Sequence, residues 1–69
     1  MISRQQMHVI VTSAIKFLAD KYEVSTATIE LAIELKNETV CKGFALLVVA
    51  GIETAETLNA LAKNNETIH

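Results

Sequence analysis

Nine consecutive residues, Phe44-Ala45-Leu46-Leu47-Val48-Val49-Ala50-Gly51-Ile52, carry no charge and no strongly hydrogen-bonding side chain. A helix that is apolar on every side has to be buried on every side. The rest of the chain, or a second copy of it, is therefore expected to wrap this segment. The flanking sequence is amphipathic. Ser3 followed by Gln6 has the form of a capping box, which satisfies free amides at a helix start. From there Met7, Ile10, Val11, Ala14, Phe17, Leu18 and Tyr22 recur at three- and four-residue steps, which predicts a helix to about Lys21. Val9 and Ile15 lie off that stripe. A strand over His8 to Thr12 is the competing reading, because Val-Ile-Val favours β structure.

Tyr22-Glu23-Val24 breaks the period, and Ser25 is a good N-cap for a second helix. That helix carries Ile29, Ala32, Ile33 and Lys36 on one side and Leu31 and Leu35 on another, so it is expected to meet two neighbours. Asn37-Glu38-Thr39 ends it, with Asn37 or Thr39 capping the central segment. A buried strand is an alternative for residues 44–50. Its only strand partner would be the doubtful one near Val9, and an isolated pair is too small to stand alone. Helix is preferred. Gly51 then reads as a C-cap, with a last helix from Thr54 through Leu58, Leu61 and Ala62. Residues 64–69 are expected to fray. The pattern predicts one all-α domain over residues 1–69, a small bundle of about four short helices.

Composition adds one consequence. The chain has 69 residues, 51% of them apolar, and a mean hydropathy of +0.33. A domain this small buries too little to stand easily alone, and disulfides, a metal or oligomerisation are the usual remedies. Cys41 is the only cysteine and has no partner within the chain. One Cys with His8 and His69 makes no ligand cluster of known spacing, so no metal or other cofactor is expected. A homodimer is expected instead, with Phe44, Leu47, Val48 and Ile52 as its candidate core. No apolar span approaches the ~18–20 residues of a membrane helix, and no cleavage site follows Val9-Ile10-Val11. One free thiol and no signal sequence point to a reducing cytoplasm.

One stretch resembles a known motif. In Ala19-Asp20-Lys21-Tyr22-Glu23-Val24-Ser25-Thr26-Ala27-Thr28-Ile29, a small residue sits where two helices approach. An apolar Val24 stands at the junction, Ser25 caps the next helix and β-branched Ile29 faces the first. Residues 17–35 thereby resemble the helix-turn-helix of bacterial and phage repressors. Glu23 stands where that family usually has a turn glycine. The resemblance implies that Thr26, Ala27, Thr28 and Glu30 would face the major groove. The charge opposes this: residues 23–38 hold four Glu and one Lys, 1 − 4 = −3. DNA readers draw much of their affinity from neutralising phosphates.

Other chemistry is thin. Cys41 beside Lys42 at a helix start is a candidate reactive thiol, and a Cys41–His8 pair would lack an orienting group. Glu30 and Glu34, one turn apart, read as a solvated acidic face. No phosphate loop or nucleotide fingerprint is present, and no small-molecule site is evident. The sequence therefore points to a non-enzymatic regulatory or protein-interaction module. Its candidate partner-facing residues are Glu23, Thr26, Thr28, Glu30 and Glu34, with a protein partner favoured over DNA. A helix-turn-helix DNA-binding regulator is the alternative.

Overall fold

A computed structural model describes residues 1–68, with side chains described through Asn64. The described residues form three helices and no strand: α1 (Arg4–Tyr22), α2 (Thr26–Glu34) and α3 (Glu38–Ile68). The all-α expectation holds, and both His8–Thr12 and 44–50 are helical. The tail 64–69 that was expected to fray lies, from Asn65 on, outside the residues whose side chains are described.

Each helix boundary has a local cause. Ser3 Oγ accepts from Gln6 N–H at 3.0 Å while Gln6 Oε1 accepts from Ser3 N–H at 3.0 Å, the reciprocal capping box. Ser25 Oγ accepts from Thr28 N–H at 3.2 Å, and Asn37 Oδ1 accepts from Val40 N–H at 3.0 Å. Of the two candidate caps for the central segment, Asn37 is used. α1 closes through Val24 N–H to Ala19 O at 3.0 Å, and α2 through Asn37 N–H to Ala32 O at 2.9 Å. In both closures the residue in the left-handed region is charged: Glu23 at φ 56° and Lys36 at φ 59°. Glycine is the usual occupant of such a position.

The expected fourth helix does not exist. α3 runs through Gly51 and Thr54 without a break, and among the described residues no glycine has positive φ. Gly51 is an approach site instead of a cap. A Cβ built there would lie 2.7 Å from Ile10 Cγ2 and 3.2 Å from Ile10 Cγ1. The missing side chain is what lets α1 lie against α3. Thr54 bonds back to its own helix, its hydroxyl donating to Ala50 O at 2.8 Å.

α1 and α3 run antiparallel. Gln6 meets Asn59, Ile10 meets Gly51, and Leu18 is the side chain that a Cβ on Gly43 would touch. α2 covers one side of this pair at its α1-C-terminal end. Leu18, Ala19 and Ile29 form the core cluster there, with Ile15, Ile33, Val40, Phe44 and Leu47 packed on it. Ala19 and Ile29 sit buried where the two-helix packing requires them, but Val24, expected to plug the junction, is 41% exposed. The molecule is elongated, 47 × 19 × 18 Å, with a radius of gyration of 14.7 Å. A compact chain of this length would have roughly 11 Å. Beyond the cluster, Ala14 alone among the described residues is buried, so the apolar segment is wrapped on its inner side alone.

Candidate interaction surfaces

The acidic surface lies on α2. Thr26, Glu30 and Glu34 follow at four-residue steps and so share one side of the helix; all three are exposed. α2 has no basic residue. Glu23 is exposed in the turn before it, held by backbone bonds to Asp20 and Ala19. Thr28 points elsewhere, its hydroxyl 2.9 Å from Ser25 Oγ. The structure thus aligns Thr26, Glu30 and Glu34, sets Glu23 at their edge, and ties Thr28 into the cap. Beside the carboxylates α2 exposes Leu31 at 53%, and its C-cap residue Leu35 is 72% exposed, the second apolar side seen in the sequence.

Two of the cations near α2 have close neighbours within the chain. The Lys21 ammonium lies 5.6 Å from the Tyr22 ring centre and 5.9 Å from that of Phe17. Such contacts over aromatic faces contribute modestly at exposed sites. Lys42 faces Glu38 at 3.5 Å with both side chains largely in solvent. A surface pair of this kind contributes little.

The four candidate dimer-core residues turn inward. Phe44 and Leu47 pack on the Leu18–Ala19–Ile29 cluster, and Val48 and Ile52 are half-buried. The outer side of the same segment is carried by Leu46, 73% exposed, and Val49, 53% exposed. The sequence did contain a signal for this. Glu38, Lys42, Glu53 and Glu56 mark the solvent side of α3, and Val49 lies one heptad from both Lys42 and Glu56. Between α1 and α3, on the side away from α2, an open groove of about 430 Å³ is lined by apolar and small residues. Val9, Phe17, Ala50, Thr54 and Leu58 are among them.

The residues singled out in the sequence for possible chemistry lie apart in the fold. Cys41 is half-buried between α2 and α3, its thiol 3.9 Å from Ile33 O. His8 is exposed on α1, near the level where Ile10 meets Gly51, so about 15 Å of helix separates it from Cys41. Cys41 and His8, the pair set aside in the sequence for want of an orienting group, are not brought together. Among the described residues no group of three His, Cys, Asp or Glu could hold a metal ion. By length and composition alone, Glu38–Asn64 of α3 is long and apolar enough to cross a membrane, which the count of uninterrupted apolar residues did not anticipate.

No family model, no curated protein and no solved structure matches the chain.

Proposed function

We propose that this chain is a small, dimeric, non-enzymatic regulatory or protein-interaction module that offers the acidic side of α2 to a basic protein partner. The observation that carries the reading is α2 itself. Thr26, Glu30 and Glu34 stand in line and in solvent, with Leu31 and Leu35 exposed beside them and no cation on the helix. Carboxylates favour encounter with a basic surface, and desolvated apolar side chains supply affinity once contact is made.

A DNA-binding regulator is the second reading. It draws support from the close α1–α2 approach at buried Ala19 and Ile29, joined through the left-handed turn at Glu23. The charge weighs against it, because the helix that would enter the groove is purely acidic. A membrane helix is weaker still. The longest charge-free run on α3 is Gly43 to Ile52, ten residues. That spans about 15 Å, half of the ~30 Å hydrocarbon core.

The test is fluorescence anisotropy of a random DNA duplex at low salt, with protein up to about 100 μM. Non-specific binding by DNA readers falls at about 10⁻⁴ to 10⁻⁶ M at physiological salt and tightens as salt falls. A flat titration is expected. Binding that weakens steeply with added salt would transfer the conclusion to the DNA-reading alternative.

A further inference from the structure

We propose that the uncovered side of α3 pairs antiparallel with the same side of a second copy of this chain. The two-fold axis passes between Val49 and Ala50, and the pairing closes the groove between α1 and α3. This rests on the dimeric reading above and names its surface, which differs from the Phe44, Leu47, Val48 and Ile52 set expected from sequence.

Three observations converge on this side. First, it is the unsatisfied half of a segment that is apolar all round. Leu46 and Val49 are mostly in solvent, and Leu46, Ala50, Thr54 and Thr57 follow at four-, four- and three-residue steps along one exposed, uncharged line. The groove beside it exposes Phe17, Val9 and Leu58 at 52%, 54% and 58%, and no α2 residue lines it. The acidic side of α2 therefore stays free for a partner.

Second, the charges at the edge of this line are arranged to meet themselves. Lys42 lies about seven residues before the axis and Glu56 about seven after it, with Glu53 between. At 1.5 Å per residue, antiparallel pairing brings Lys42 within about 2 Å, along the helix, of the level of Glu56 in the other copy. The symmetry produces this contact twice. Glu38 then falls level with Ala60 and Leu61 of the other copy, so like charges do not meet there. Parallel pairing would set each charged residue against its own copy. A two-fold interface must be self-complementary, and the antiparallel one is.

Third, the dimensions suit a stable dimer. The extents of the molecule, 47 × 19 Å, bound this face and leave room for the ~800 Å² that each partner contributes to a standard interface. A small residue at Ala50, on this exposed line, lets backbones approach. Two α1–α3 layers stacked through this face make a four-helix arrangement, the stable form in which each helix finds cover.

Sedimentation equilibrium of the full chain over a wide concentration range tests the proposal, with circular dichroism checking that each variant stays helical. The native chain is expected to sediment as a dimer. Ala50→Asp, at an exposed position that leaves the monomer's own packing intact, is expected to give a helical monomer. Lys42→Glu is expected to weaken dimerisation about tenfold, through two symmetry-related edge contacts. Combining Lys42→Glu with Glu56→Lys is expected to restore it. These residues lie fourteen positions apart on one helix, too far to touch within a chain, so rescue requires the antiparallel copy. A native monomer at every concentration overturns both this proposal and the dimeric reading. A dimer that survives Ala50→Asp but is lost in Leu31→Asp overturns this surface while leaving a dimer, now through α2. Failure of the charge swap to rescue overturns the antiparallel register.

Discussion

Gly51 and Ile10 meet where α1 and α3 have no room for a side chain between them: a Cβ on Gly51 would stand 2.7 Å from Ile10 Cγ2. Ile10 is β-branched, and the atoms in the way hang directly from its Cβ, so its side chain has little freedom to yield. Gly43, eight residues earlier on the same helix, has no such neighbour. Its nearest atom is Leu18 Cδ2 at 3.7 Å, ordinary contact.

The two glycines should therefore respond in opposite directions to alanine. Both substitutions gain about 0.5–1 kcal/mol of helix propensity. At Gly43 that gain is expected to survive and raise the thermal midpoint. At Gly51 overpacking of about 1–3 kcal/mol outweighs it, and the midpoint is expected to fall by several degrees. Thermal melts of both variants check this; a Gly51→Ala variant more stable than native would mean that the helices do not approach so closely.

Gln6 serves two structures at once. Its side-chain oxygen accepts from Ser3 N–H and from Asn59 Nδ2 at 3.1 Å, while its Nε2 donates to Asn59 Oδ1 at 2.8 Å. Gln6→Ala removes both half of the capping box and the tie from α1 to α3. The expected loss is about 1–2 kcal/mol. Asn59→Ala removes the tie and an exposed bond from Asn59 Nδ2 to Met1 O at 2.9 Å, but leaves the box; an exposed bond contributes little, so urea denaturation should show the smaller loss for Asn59→Ala. Equal losses would show that the box adds no more than the bond from Asn59 to Met1.

Glu23 holds a backbone conformation that disfavours any side chain. Glu23→Gly is expected to relieve about 1 kcal/mol of that strain. The stability gain should appear in urea denaturation with the slope unchanged. A loss of stability would mean that the glutamate side chain makes a compensating contact in solution.

Much of the local structure was legible in the sequence, and the capping residues show why. A cap is a contact between residues three apart, so Ser3 with Gln6 and Ser25 as a cap could be read without knowing where the helices go, while the choice of Asn37 over Thr39 came from the structure. The left-handed turn at Glu23 was legible for the same reason, as were the buried places of Ala19 and Ile29 on either side of it. All-α followed from the three- and four-residue apolar period.

What depended on the third dimension was everything about Gly51 and about the outer side of α3. A glycine after an apolar run reads as a helix stop when only its neighbours in sequence are considered. It is a mid-helix contact because Ile10, forty-one residues away in the chain, needs the space. The segment Phe44 to Ile52 told the same half-truth: its apolar character demanded burial on all sides without saying which side the chain itself would cover. Packing on Leu18, Ala19 and Ile29 assigned Phe44 and Leu47 to the inside and left Leu46 and Val49 out. Hydrophobic burial is non-directional, so the sequence fixes how much surface must leave water, and only the helix phase set by tertiary contacts decides which residues remain exposed.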